Sequence, residues 1–303
     1  MSAVMVNELN DKKIRGKLEP DVSLARFTSW KVGGVAEIVF QPEDLTDLQN
    51  YMQTLDASVP ITWLGRGTNV LVRDGGVRGV VIAMQGCINV LEKLESNLIR
   101  AELGVSCAKL ARFSADNNLV GIEFLAGIPG TVGGALAMNS GAYGSETWNY
   151  VSEVETIDRK GKLHIRKPNE FDIGYRTVKG SNEEWFVAAT FKLKSGDSEQ
   201  AKIRIRELLD QRNASQPVGS KSCGSVFRNP ENDHAARLIE ASGLKGKVIG
   251  GAQISTKHAN FIINIGGATA EDIETLIMDV RKTIEREHGV LLFPEVKIIG
   301  EAG

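Results

Sequence analysis

Cysteine is scarce and scattered in this sequence. Cys87, Cys107 and Cys223 are odd in number, far apart and without a C-x-x-C pair, which excludes a disulfide framework and a zinc ribbon. A reducing, cytoplasmic setting and no bound metal are the expectations. No run approaches the ~20 apolar residues that span a bilayer. The opening residues, MSAVMVNELNDKK, also lack the apolar core of a secretory signal, so no membrane role is expected. Neither sign of charge dominates: 36 Lys and Arg against 38 Asp and Glu leave a formal net charge of -2. A nucleic-acid polymer needs a broad basic face, and that is missing. Local cationic pockets for one or two phosphates remain compatible with this balance.

What the chain does have is glycine. There are 32, clustered at 64–79, 121–144 and 243–251. Clustered glycine marks backbone that bends sharply or approaches a ligand closely. The remainder of the composition, 42% hydrophobic and 24% charged over 303 residues, is that of a globular protein of two or three domains.

No repeat or Pro/Ser-rich linker divides the chain, so boundaries come from element patterns. Residues 35–40 read as a strand, and Pro42 opens an amphipathic helix through Leu45, Leu48, Tyr51, Met52 and Leu55. Strands at 60–64 and 77–84 complete a first α/β unit, 1–84. A second unit, 85–196, holds a strand at 98–103, a helix capped by Ser106, the long glycine run, and strands at 151–158 and 185–193. In the third, 197–289, Asp197 or Ser198 caps a helix carrying Ile203, Leu208 and Leu209. A helix at 233–242 and a strand at 260–265 follow. The final helix, Thr269 to His288, has a near capping box to Asp272, a stripe of Ile273, Leu276, Ile277, Val280 and Ile284, and Gly289 to end it. The closing stretch VLLFPEVKII, within 290–303, reads as a strand that could pair back with the first unit.

Two glycine loops suit a pyrophosphate. Gly65, Arg66, Gly67, Thr68, Asn69 and Val70 follow a strand, with uncovered amides and two side-chain donors. This is half of a dinucleotide fingerprint, and a plain tight turn explains it equally. The run Gly127, Ile128, Pro129, Gly130, Thr131, Val132, Gly133, Gly134, Ala135 packs four glycines and a proline into nine positions. Asn139 and Gly141 come next. Two such loops fit an extended dinucleotide lying across the junction of the units that carry them. Val32-Gly33-Gly34 alone reads as a hairpin.

Catalytic candidates are fewer. Ser222-Cys223-Gly224-Ser225-Val226-Phe227-Arg228-Asn229-Pro230 is compact and polar, and a surface loop is its plainest reading. Cys223 has no base beside it, and Ser225 lacks the G-x-S-x-G elbow of an acyl-transfer nucleophile, although it could deliver a proton. Arg176 and Glu295, in GYR and FPEV, are not selected by spacing.

The ordered set TSWKVGG, LGRGTNVLV, GIEFLAGIPGTVGGALAMNSGAYG, GYR, CGSVFRNP, KHANFIIN and FPEV closely resembles the UDP-N-acetylenolpyruvoylglucosamine reductase (MurB) family of bacterial peptidoglycan synthesis, from about Ser23 to Gly300. The resemblance implies an α+β fold: a vanillyl-alcohol-oxidase-like (PCMH-type) FAD-binding module in two subdomains, 1–84 (completed by 290–303) and 85–196, plus a C-terminal α/β substrate-binding domain, 197–289. It implies a monomeric, NADPH-dependent flavoenzyme acting on a small nucleotide-sugar substrate. Hydride passes from NADPH to FAD, then from flavin N5 to C3 of the enolpyruvyl ether, with protonation at C2. By match to the family motifs, Arg176 and Glu295 face the substrate carboxylate and Ser225 protonates C2. Glu295 would help only if protonated or hydrogen-bonded to an acidic partner, so burial should raise its pKa. Tyr175, Arg228, Asn229, Lys257 and His258 match or neighbour substrate-contacting positions.

Two departures matter. The span from Arg176 to Ser225 is short, as in the family form without an inserted, tyrosine-bearing element. Lys221, Arg228 and Lys257, with Tyr175, are then candidates to hold the pyrophosphate. Related oxidases tether FAD to a histidine in the first glycine loop. GRGTNV has none, and the histidines are at 164, 234, 258 and 288, so FAD should be non-covalent. Two other readings compete: an FAD-linked hydroxy-acid oxidase, which leaves CGSVFRNP and KHANFIIN unexplained, and a non-catalytic nucleotide-binding module.

Overall fold

A computed structural model describes residues 14–180 and 183–303. The opening segment MSAVMVNELNDKK lies outside the described residues. By packing, the described residues form two units, each discontinuous in sequence: 14–19, 39–65 and 82–210 in the first, and 20–38, 66–81 and 211–303 in the second.

The first unit is built on a five-stranded antiparallel sheet in the order Leu163–Arg166, Val151–Asp158, Glu184–Lys192, Leu98–Glu102, Leu91–Lys93. Val154, Ala189 and Ala101 stand side by side across its three central strands and are fully buried. Four helices follow from local chemistry. Helix α1, Leu45–Met52, starts where the Asp44 carboxylate accepts the Asp47 amide at 2.8 Å, not at Pro42. It ends at Met52, short of Leu55, because Thr54 returns its Oγ1 to the Tyr51 carbonyl at 2.7 Å. Helix α2, Cys107–Asp116, is capped by Ser106, whose hydroxyl accepts from Lys109 N at 3.2 Å. Helix α3, Val132–Ala137, rises from the glycine run with Thr131 as its cap. Helix α4, Ser198–Ser215, is started by Asp197, which accepts from Gln200 N at 3.0 Å. Its buried positions are Ala201, Ile205 and Leu208, whereas Ile203 faces solvent, 44% exposed. Of the expected core positions, Leu208 is buried and Leu209 packs against the core, and Ile205 takes the place expected of Ile203.

One apolar cluster joins α2, α3 and α4 to the sheet, through Leu110, Phe124, Leu136, Trp148, Phe191 and Ile205 among others. Each such side chain, fully buried, contributes roughly 1.5–3 kcal/mol.

In the second unit, the antiparallel strands Val248–Ile249, Ala252–Ile254 and Ile262–Asn264 pack with α5, Ala235–Ala241, and α6, Ala270–His288. Helix α6 begins in a reciprocal capping box, Asp272 N to Thr269 Oγ1 and Thr269 N to Asp272 Oδ2, both 3.0 Å. Asp74 accepts two further amides of its first turn, Ala270 and Glu271, each at 3.0 Å. The helix closes on Gly289, φ +66°, and its five predicted stripe residues are all buried.

The C-terminal stretch is not one long strand. Only Lys297–Ile299 is, and it pairs in parallel with Val70–Val72. Phe293 and Glu295 are committed elsewhere, to Arg228 N and Val226 O. Gly33-Gly34 is no hairpin either: a Cβ on Gly34 would stand 2.2 Å from the Asp74 carbonyl, so glycine is needed for close approach of two backbones. Among the described residues no helix is long and apolar enough to cross a membrane.

Candidate active site

The first unit contains a cavity of about 570 Å³, within the usual range for small-molecule sites. Its wall includes Trp63, Leu64, Gly65, Thr131, Gly133, Gly134, Phe171, Lys179 and Trp185. Gly65 of the first glycine loop thus meets Thr131 of the second: a Cβ on Gly65 would lie 2.9 Å from Thr131 Oγ1. The second loop's glycines serve packing more than amide display. The amides of Ile128, Val132 and Gly133 go to the carbonyls of Leu125, Val105 and Leu103, and Gly134 N is 3.4 Å from Thr131 Oγ1. Cys107 N bonds to the Gly130 carbonyl. Pro129 is exposed, Ala135 buried and Gly127 ends a 3-10 turn. Gly133 has room for no side chain, its Cβ position being 2.9 Å from Leu103 Cβ. Gly134 faces open space, with only Thr131 Oγ1 at 3.8 Å. The sequence reading missed Trp63 and Trp185, which stack with centroids 5.5 Å apart. Trp63 had a signal, as it sits on the strand Ile61–Leu64 that leads directly into Gly65, and Trp185 had none.

The other half of the first loop lies in the second unit. Gly67 is left-handed, φ +59°, and a Cβ there would be 2.1 Å from the Phe27 carbonyl. Its own carbonyl accepts from Ser29 N (3.0 Å) and Ser29 Oγ (3.1 Å). Asn69 uses its side-chain amide on the Glu295 carbonyl (3.2 Å), and its own carbonyl accepts from Lys297 N. Arg66 is exposed; Thr68 is half-buried, and Val70 opens the strand paired with Lys297–Ile299.

Ser225 and Glu295 are brought together in this unit. Glu295 N donates to the Val226 carbonyl at 2.7 Å, and Arg228 N to the Phe293 carbonyl at 2.9 Å. Both residues are half-buried. The segment around Ser225 is not a surface loop, since Cys223, Val226 and Phe227 are buried. Cys223 is packed against Ser29 Oγ (3.2 Å) and the carbonyls of Val70 (3.3 Å) and Gly67 (3.5 Å). Burial pushes its thiol up to about 12, so at neutral pH it is no thiolate nucleophile. Cys223→Ala should leave catalytic rates within about twofold of wild type and cost about 1 kcal/mol of stability. Steady-state kinetics beside a urea melt would check this, and a rate loss of tenfold or more would restore the thiol as a reacting group.

Arg176 belongs to the first unit. It occupies the two-residue turn between strands Asp172–Gly174 and Thr177–Lys179 with φ +55°, a conformation unfavourable for any side chain but glycine. Strained non-glycine residues concentrate at functional sites. Its guanidinium donates to the carbonyls of Gly141 (2.9 Å) and Asn139 (3.4 Å) and lies 5.1 Å from the Tyr175 ring. Asn139 is buried with its amide spent on Glu146, Gly174 and Trp148, so in this unit it braces the carbonyls that hold Arg176.

The remaining candidates vary. Asn229 is exposed and accepts from Ala235 N at the start of α5 (3.2 Å). Lys257 Nζ donates to the Asn213 carbonyl, and Lys221 is exposed with its carbonyl bonded to Asn264 N. His258 is held below its ordinary pKa by burial and by Lys245. Its Nδ1 accepts from Asn260 N at 3.3 Å. Arg228 is half-buried and Tyr175 48% exposed.

Comparison with known proteins bears on this arrangement. Residues 36–165 match a family profile described as an FAD binding domain, and residues 216–299 match the C-terminal domain of UDP-N-acetylenolpyruvoylglucosamine reductase. A protein of that name from Alkalilimnicola ehrlichii is 54% identical over 95% of this chain and 96% of its own length. The chain belongs to the UDP-N-acetylenolpyruvoylglucosamine reductase family. It is an FAD-dependent oxidoreductase. The Methylococcus capsulatus relative is 55% identical over 92% of each chain. The crystal structure of the Thermus caldophilus reductase superposes with a TM-score of 0.80 at 31% identity, covering 94% of this chain and all of that one. An alkyldihydroxyacetonephosphate synthase shares the fold alone, at TM-score 0.50 and 16% identity over 64% of this chain and 42% of its own. The fold class is therefore the α+β, PCMH-type FAD-binding module with a C-terminal α/β domain. The described residues from Arg176 to Ser225 comprise only strands Thr177–Lys179, Glu184–Lys192 and Lys194–Ser195, helix α4 and the connections.

Proposed function

We propose that this chain reduces the enolpyruvyl double bond of UDP-N-acetylglucosamine enolpyruvate to give UDP-N-acetylmuramate for peptidoglycan synthesis, with NADPH as hydride source. The observation that carries the reading is the 54% identity with the Alkalilimnicola ehrlichii reductase over 95% of the chain. In this reading the enzyme is cytoplasmic and monomeric. Residues 1–84 with 290–303, and 85–196, hold FAD, while 197–289 binds substrate. FAD, when bound, relays hydride from NADPH to C3 of the substrate. Gly65, Thr131, Gly133 and Gly134, which line the first unit's cavity, and Arg66, Gly67, Thr68, Asn69 and Val70 are the residues proposed to bind it.

The protein's own groups handle charge and proton. The Ser225 hydroxyl donates the proton that completes saturation at C2. Arg176, a fixed cationic fork, offsets negative charge spreading onto the substrate carboxylate. Glu295 hydrogen-bonds the same carboxylate. Tyr175, Lys221, Arg228, Asn229, Lys257 and His258 supply contacts to the nucleotide sugar, and the cationic members suit its pyrophosphate.

The purified protein should be yellow, and acid denaturation should release all of its flavin, because the glycine loop carries no histidine. NADPH should bleach the flavin, and one equivalent of enolpyruvyl substrate should restore the colour. Flavin retained by the precipitated chain would refute the non-covalent assignment. Bleaching by a 2-hydroxy acid, with no response to the enolpyruvyl substrate, would refute the reaction.

A further inference from the structure

Ser225 is a small side chain on a segment with no regular secondary structure, preceded by Gly224 at φ +75°. A proton donor in such a place is only as well aimed as the backbone beneath it. That backbone is held on two edges, both within the second unit. On one edge are the bonds to Phe293 and Glu295 described above. On the other is a single residue, Asn260. Its carbonyl accepts from Val226 N (2.9 Å), its side-chain oxygen accepts from Phe227 N (2.9 Å), and its side-chain amide donates to the Phe227 carbonyl (2.8 Å). The carboxamide thus copies one rung of a β-ladder, with its oxygen and its amide both spent on the backbone of one residue, Phe227. Asn260 is only 4% exposed, so no water competes for these bonds. The residue comes from KHANFIIN, a motif that none of the proposed substrate contacts except Lys257 and His258 uses.

We infer that Asn260 is a positioning residue for protonation: its carboxamide fixes the Val226–Phe227 backbone and thereby both the aim of Ser225 and its register with Glu295. The inference rests on the reading of Ser225 as the proton donor. It requires that Asn260 act on the substrate half of the reaction and not on reduction of the flavin.

The test is rapid-mixing absorbance on flavin-loaded enzyme, comparing wild type with Asn260→Ala, Asn260→Asp and Ser225→Ala. Asn260→Ala should keep its flavin and be bleached by NADPH at the wild-type rate. Its re-oxidation by the enolpyruvyl substrate should fall by about 10²-fold, the scale of a misplacement of roughly 1 Å in a reacting group. Asn260→Asp supplies a signature that general loosening does not. Its neutral carboxylic acid restores both donor and acceptor toward Phe227, and its anion loses the donor. Burial favours the neutral form, so re-oxidation by this variant should recover as pH is lowered, relative to wild type at the same pH. Loss of flavin, equal slowing of both phases, or an Asn260→Asp profile parallel to wild type would overturn the inference. If Ser225→Ala itself left re-oxidation unchanged, the proton-donor reading would fail instead. Slow re-oxidation in Ser225→Ala beside normal re-oxidation in Asn260→Ala would remove this inference alone.

Discussion

Ser225→Ala lowers turnover of the enolpyruvyl substrate by about 10²–10⁴-fold, the usual contribution of positioned proton transfer, and leaves bleaching of the flavin by NADPH near its wild-type rate. The asymmetry follows from where the proton is needed. Hydride transfer from NADPH requires no proton at the substrate, whereas saturating C2 does. Ser225→Cys should recover part of the loss, since a thiol still carries a proton. Stopped-flow records of bleaching and colour return separate the two phases. Equal slowing of both in Ser225→Ala would mean that the serine supports the flavin site and does not serve protonation.

Gly134→Val abolishes flavin binding without unfolding the protein. Gly134 sits in the first turn of α3, a right-handed conformation that valine adopts, so the substitution carries no left-handed penalty. Helix propensity favours valine over glycine by a few tenths of a kcal/mol. The nearest atom to its Cβ would be Thr131 Oγ1 at 3.8 Å, and the branched methyls would fill the cavity that Gly65 and Trp63 also line. Soluble apoprotein with an undiminished melting temperature and flavin affinity weakened at least about 100-fold is the expected result, a change of roughly 2.7 kcal/mol. Absorbance at 450 nm relative to 280 nm and flavin-fluorescence titration measure it. A full complement of flavin would show that the cavity serves something else. Gly133→Val is the contrast: its Cβ meets Leu103 Cβ at 2.9 Å, so that variant should lose stability as well.

These contrasts also mark what the sequence discloses. Helix α6 was legible to the residue, because capping box, apolar stripe and Gly289 all act within one turn of chain and all favour the same ends. Helix α1 was misread at both ends, since Asp44 and Thr54 compete locally with Pro42 and Leu55 and only geometry decides between them. Ile203 misled because one residue in the wrong register of a 3.6-residue period looks apolar whichever way it faces. The motif order disclosed the family and hence the cofactor. It did not disclose that the second loop's amides are largely committed within the protein, or that Asn69 and Asn139 are occupied with Glu295 and Glu146. Whether these bonds span three residues, as from Ile128 to Leu125, or 226, as from Asn69 to Glu295, periodicity carries no information about them. Asn260 is the same case, since asparagine beside phenylalanine looks equally like a turn until the Phe227 backbone lies against it.

The parallel pairing of Val70–Val72 with Lys297–Ile299 has a consequence for how the chain is made. Asn69, at the head of the first strand, finds Glu295 only after 226 further positions. At ~5–20 residues per second on the ribosome, that is a wait of about 10–45 s. Residues 82–210, most of the first unit, are complete long before. The apolar segment Val70-Leu71-Val72 meanwhile has an unmatched strand edge, and Trp30 lacks the Ile262 carbonyl that its indole finally meets at 2.7 Å. Folding of the second unit therefore waits in its final step for residues 262–299, and those few residues are where a holding chaperone would have its longest opportunity.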